Sequence, residues 1–112
     1  MKKLRRNFLD LVFVPHQKMK WHFNERAQVV LHFAHTSFFD KLAQRFFAKP
    51  AISFISLDEY GSLLWTSLDG KNTVSNLVEI LQNKFPPEKN DMLKRVVHFL
   101  HTLQSNKFVV EK

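Results

Sequence analysis

Apolar and polar residues alternate twice in the first third of the chain. In Met19-Lys20-Trp21-His22-Phe23, the residues Met19, Trp21 and Phe23 share one face. From Gln28 to Ala34, Val29, Leu31 and Phe33 face one way, while Val30, His32 and Ala34 face the other. A period of two marks a strand with one face buried. The two segments, with Asn24-Glu25-Arg26 between them, predict a β-hairpin. Its turn contains no glycine, so the flanking strands carry the reading more than the turn chemistry does. Upstream, Leu9, Leu11 and Phe13 alternate with Phe8, Asp10 and Val12. That pattern predicts a short strand, or an arm packed on the domain, ended by Pro15.

The period then changes. Phe38, Phe39, Leu42, Ala43, Phe46 and Phe47 recur at helical spacing, with Asp40, Lys41, Gln44, Arg45 and Lys49 on the other face. This predicts a short amphipathic helix, capped by Thr36 or Ser37 and ended by Pro50. Ala51 to Leu57 reads as a strand. Ile52 and Phe54 point one way and Ile55 and Leu57 the other, so a cover is expected on each face.

Three helices are predicted downstream. Asp58 caps the first, which carries Tyr60, Leu63, Leu64, Trp65 and Leu68. Asp69-Gly70 is its stop, because glycine tolerates the left-handed conformation found there. Thr73 caps the second, with Val74, Leu77, Val78 and Leu81 at spacings of three and four. Pro86-Pro87 separates it from the third, which presents Leu93, Val96, Val97, Leu100 and Leu103 inward. Lys94, Arg95, His98 and His101 lie nearer its outer side. Phe108-Val109-Val110 is an apolar tail expected to pack back. The expected organisation is a basic N-terminal arm over residues 1–17 and one domain over 18–112.

Composition narrows the function classes. The 112 residues suit a single domain, and 45% hydrophobic content with twelve phenylalanines argues against disorder. The absence of cysteine excludes disulfides, thiolate zinc sites and a cysteine nucleophile. The start, Met1-Lys2-Lys3-Leu4-Arg5-Arg6, is basic like a signal peptide. The apolar run after it is broken by Asp10 and closed by Pro15, and no small-residue cleavage site follows. No apolar stretch approaches the ~20 residues of a membrane span. A cytoplasmic location is expected. The net charge of +7 directs attention to acidic partners: nucleic acid, anionic lipid or an acidic peptide.

Candidate chemistry is sparse. His98 and His101 sit three apart on one helix, and His32 and His35 three apart on a strand, pointing to opposite faces. No carboxylate completes a metal motif, so no metal or other cofactor is expected. No nucleophile elbow and no glycine-rich phosphate loop is present, and Asp58-Glu59 reads as a helix start rather than an acid–base pair. No catalytic residue is assigned. The Phe38–Phe47 stripe fits a cover for the strand that follows, a partner-docking face or a helix at a membrane surface.

One ordered series is more specific. Ile55-Ser56-Leu57-Asp58-Glu59-Tyr60-Gly61-Ser62-Leu63-Leu64-Trp65, then Leu68-Asp69-Gly70-Lys71-Asn72-Thr73-Val74, resembles the signature of the PqqD family. Phe99-Leu100-His101-Thr102-Leu103 and Phe108-Val109-Val110 are similar to the family's later pattern. Most of these residues also have folding roles. Gly61 permits close helix approach, Trp65 is a core anchor, Gly70 stops a helix and Thr73 caps the next.

The resemblance implies an α+β, winged-helix-like fold. Three antiparallel strands are followed by three helices, here with the Phe38–Lys49 helix inserted before the third strand. It implies a non-catalytic module that binds the leader of a ribosomally made precursor peptide. The leader adds as a strand beside the third strand and against the third helix, and is presented to a modifying enzyme, commonly a radical S-adenosylmethionine protein. Carried onto this chain, the groove is lined by Ser53, Phe54, Ile55 and Ser56, facing Lys94, Arg95, Val97, His98 and His101. The basic balance suits an acidic leader. The Phe38–Lys49 insert and the Phe8–Val14 arm are departures: the insert could crowd or extend the groove, and the arm could occupy the open edge itself. The alternatives are a winged-helix nucleic-acid binder and a scaffold subunit with a blocked groove. Against the former, the third helix lacks a base-reading Asn or Gln between Leu93 and Leu103.

Overall fold

The computed structural model describes residues 7–34, 52–86 and 89–112. Among them, a 3-10 turn (Phe8–Asp10) precedes strands β1 (Phe13–Pro15), β2 (Lys20–Phe23), β3 (Val29–Ala34) and β4 (Ile52–Ser56). Helices α1 (Glu59–Thr66), α2 (Val74–Lys84) and α3 (Lys89–Ser105) follow, then strand β5 (Val109–Glu111). The fold is α+β, with the antiparallel sheet β2-β3-β4 followed by three helices. The helix expected over Phe38–Lys49 lies outside the described residues. The chain divides into two compact units. One runs from Lys18 to Asp58; the other combines the segments up to Gln17 and from Glu59 onward.

The Lys18–Asp58 unit is the three-stranded sheet. In the hairpin, Lys20 pairs with His32 and Phe23 with Val29. Its turn works without glycine. The Asn24 side-chain oxygen accepts from the amides of Arg26 and Gln28, at 2.8 and 3.0 Å. Ala27 takes the left-handed conformation, φ 60°, that glycine would usually supply. Strand β4 pairs with β3, from Val30 opposite Ser56 to Ala34 opposite Ile52. Val29, Val30, Leu31 and Leu57 are buried, whereas Trp21 and Phe23 on β2 are exposed and meet edge to face at 5.2 Å.

The other unit is helical, with a two-stranded sheet. Leu64, Trp65 and Leu68 are buried with Val74, Leu77, Val78 and Leu81 of α2 and Met92, Val96, Leu100 and Leu103 of α3. The spacing of 92, 96, 100 and 103 keeps one helical stripe inward. Leu93, expected inward, is instead 43% exposed, because it sits about 100° round the helix from Met92. Helix α1 ends at Thr66, four residues before Gly70. The Ser67 hydroxyl donates to the Leu63 carbonyl at 2.7 Å and that of Thr66 to the Ser62 carbonyl at 2.9 Å, so the last carbonyls are satisfied early. Gly70, at φ 83°, shapes the loop that follows. Thr73 caps α2 as expected, its side chain accepting from the Asn76 amide at 3.1 Å.

The N-terminal arm forms part of this unit. Strand β1 runs antiparallel to β5, with Phe13 opposite Glu111 and Pro15 opposite Val109. Phe13 is fully buried. The Leu11 carbonyl accepts from the Val74 amide at 2.9 Å, satisfying a donor that the first turn of α2 leaves free. Phe8 lies against Phe13, ring centroids 5.6 Å apart. The expectation of a strand or packed arm resolves into both: a 3-10 turn over Phe8–Asp10, then a strand.

Candidate functional site: the outer edge of strand β4

In the order β2-β3-β4, strand β4 stands at the sheet edge. Among the described residues, β3 is its only strand partner. The N-terminal arm, which could have filled this edge, has its strand β1 paired with β5.

One hydrogen bond fixes which backbone groups face outward. The Leu57 amide donates to the Val29 carbonyl at 2.8 Å. In an antiparallel ladder, residues alternate between those bonded across to the partner and those bonded away from it. Leu57, Ile55 and Ser53 therefore turn their N–H and C=O groups toward β3. Ile52, Phe54 and Ser56 turn theirs away, toward the free edge.

Side chains alternate too. Phe54 is 63% exposed, Ser56 is exposed, and Ile55 is 39% exposed on the opposite face from Phe54. Ser53 lies opposite Phe33 in the ladder. On the Phe54 face, the His32 ring meets Phe54 edge to face at 4.9 Å, and His22 meets His32 at 4.8 Å. Nδ1 of His22 and Nε2 of His32 are also hydrogen-bonded, one donating to the other according to tautomer. An aromatic row thus crosses all three strands and ends at the free edge. The sequence reading missed this row. Its signal was there, because once Lys20 is set opposite His32, His22, His32 and Phe54 fall on one face.

Helix α3 carries the other expected site residues. Lys94, Val97, His98 and His101 stand at i, i+3, i+4 and i+7, one stripe of the helix. Val97 is half-buried; Lys94, His98 and His101 are exposed. The His101 ring stacks on Phe8 at 4.6 Å. Arg95 stands about 160° round the helix from Val97. Its guanidinium lies over the Tyr60 ring, 4.9 Å from the centroid, and Tyr60 in turn packs on Phe85 at 4.1 Å. The structure therefore brings four of the five α3 residues onto one stripe and turns the fifth toward α1. Among the described residues, no three of His, Asp or Glu converge on a possible metal position.

The ordered series from Ile55 to Val74 thus sits on a strand, a helix and a capped turn, in the order the resemblance requires. The family model for Coenzyme PQQ synthesis protein D (PqqD) matches residues 49–109, more than half of the chain. The chain belongs to the PqqD family. No curated protein and no solved structure matches it. The matched PqqD region begins just before β4 and takes in the three helices, leaving the β2–β3 hairpin outside it. Among the described residues, no helix is long and apolar enough to cross a membrane.

Proposed function

We propose that this PqqD-family chain is a non-catalytic peptide-recognition module. The leader of a precursor peptide adds as a strand to the outer edge of β4. The module then presents the peptide to a modifying enzyme, a radical S-adenosylmethionine protein, in the cytoplasm. The observation that carries this reading is the edge itself: Ile52, Phe54 and Ser56 direct main-chain donors and acceptors outward, with no strand on them among the described residues. An extended peptide satisfies such groups by β-augmentation, in which main-chain bonds supply affinity and side-chain pockets supply selectivity. The family's part in coenzyme PQQ synthesis fits a protein that acts on a peptide precursor. The net charge of +7 favours an acidic leader, steered by cations such as Lys94. Ser53, Phe54, Ile55 and Ser56 of β4 are the residues whose substitution should change affinity most directly.

The test separates main-chain pairing from everything else. In Ser56→Pro, the lost N–H is one that faces the free edge, so the β3–β4 ladder survives. In Ile55→Pro, the lost N–H is one that the ladder uses. Isothermal titration with a synthetic leader from the precursor encoded beside the gene should give micromolar binding by the native chain. Ser56→Pro should keep the native circular dichroism spectrum and bind at least about tenfold more weakly. Ile55→Pro should lose sheet signal. Full affinity in a folded Ser56→Pro chain would overturn strand addition.

A further inference from the structure

Phe54 is the most exposed large hydrophobic residue of those described, at 63%. It lies in the middle of the edge strand, and its backbone is one of those turned outward. A strand added antiparallel to β4 would therefore place one residue directly opposite Phe54, bonded to it through both main-chain groups. The side chain of that residue must lie on the same face as the Phe54 ring. Directly opposed side chains in a sheet are near enough to pack, and an aromatic ring there favours another aromatic or a large aliphatic partner.

The ring is also held in place. His32 presses on it edge to face, and His22 is hydrogen-bonded to His32. A braced ring loses less rotamer freedom on binding than a free one. The outward neighbour Ser56 is small and polar, so on that side the apolar requirement stops at Phe54; the other outward neighbour, Ile52, is apolar, and substitution at Phe54 separates the two positions. A one-residue slip of the added strand would put its apolar side chain on the other face.

We infer that Phe54, braced by His32 and His22, sets the register and specificity of the added strand by demanding a large apolar or aromatic side chain directly opposite it. This rests on the strand-addition reading and sharpens it: the peptide class is an extended segment with one bulky apolar residue at the Phe54 register. The anchor lies on the face opposite Ile55 and Leu57.

The experiment is selection from a phage-displayed library of random peptides, run in parallel on the native chain, Phe54→Ala and Phe54→Tyr. Sequences recovered by the native chain should share a bulky apolar residue at one fixed position. Synthetic versions should lose about tenfold in affinity when that residue becomes alanine. The Phe54→Ala chain should bind them about tenfold more weakly, and the peptide alanine should then cost it little more. Phe54→Tyr should restore both affinity and preference. His32→Ala should weaken binding severalfold while leaving the preferred residue unchanged.

Native selection of peptides with no fixed apolar position, or equal selection by Phe54→Ala, would sink the anchor while strand addition still stood. Recovery of no peptide by the native chain would count against strand addition itself. Light scattering covers the remaining occupant. A dimer that Phe54→Ala dissolves would show that the edge pairs with a second copy of this chain, which also overturns the inference.

Discussion

The guanidinium of Arg95 lies 4.9 Å from the centre of the Tyr60 ring and links α3 to α1. Arg95 therefore has an aromatic partner within the fold, and its neighbour Lys94 is exposed. A cation over an exposed aromatic contributes about 0.5–1 kcal/mol. Arg95→Ala should lower the unfolding free energy by that amount in urea titrations. Lys94→Ala should stay within about 0.5 kcal/mol of the native chain. Lys94→Glu is accordingly the cleaner test of charge in peptide binding, since a loss at Arg95 would mix packing with charge.

The two ends of neighbouring helices should respond in opposite directions to substitution. At the end of α3, the Phe108 amide reaches the Leu103 carbonyl at 2.9 Å and the Lys107 amide reaches that of Gln104 at 3.0 Å. This is a Schellman closure, with Lys107 at φ 62° where glycine is usual. Lys107→Gly should stabilise the chain by about 1 kcal/mol. At the start of α2, Thr73→Ala removes the acceptor for the Asn76 amide and should cost about 1 kcal/mol. Thermal unfolding of both variants and of the double variant checks the signs and their additivity.

Asp69 gives the chain an acid-sensitive turn. Its carboxylate accepts from the amides of Lys71, at 2.9 Å, and Asn72, at 3.1 Å. These bonds, that to Lys71 first, hold its pKa below the usual carboxylate value. A group whose folded pKa is depressed stabilises the fold above its unfolded pKa. That contribution is lost as pH falls through the folded value. The loss should therefore fall below about pH 4. Asp69→Ala should be less stable than the native chain near neutrality, and the gap should narrow as the pH drops through that range. Chemical denaturation at a series of pH values reads both; a gap independent of pH would assign the turn's stability to other groups.

Much of the fold was legible because it is written in period and caps. The alternation of Met19–Phe23 and Gln28–Ala34 located the hairpin, and Thr73 located the start of α2. Three kinds of feature escaped. The hairpin turn depends on Ala27 taking the left-handed conformation that glycine would usually supply, with the Asn24 side chain bracing the loop, and alanine is not a usual signal for that conformation. The stripe of α3 was read correctly at Val96, Leu100 and Leu103, but its first inward residue is Met92 and not Leu93, because both are apolar and only packing chooses between them. The β1–β5 pairing joins two three-residue segments far apart in the sequence, and nothing in their residue types says that one meets the other. At the candidate site, β4 and its composition were legible. Which of its backbone groups face the free edge was not, since that follows from a single hydrogen bond, Leu57 to Val29, with no counterpart in residue type. The same bond separates Ser56, whose N–H an added strand can use, from Ile55, whose N–H the sheet already uses.

The pairing of β1 with β5 also sets a timetable. Phe13 is made long before the strand that lies beside its own, Val109 to Glu111. On the ribosome, at roughly 5–20 residues per second, several seconds separate the synthesis of the two strands. During that interval the Phe8–Val14 segment is an exposed apolar stretch awaiting its partner. The β1–β5 pair can form only after Val109–Glu111 has left the exit tunnel, whereas the hairpin over Lys20–Ala34 has both its strands long before.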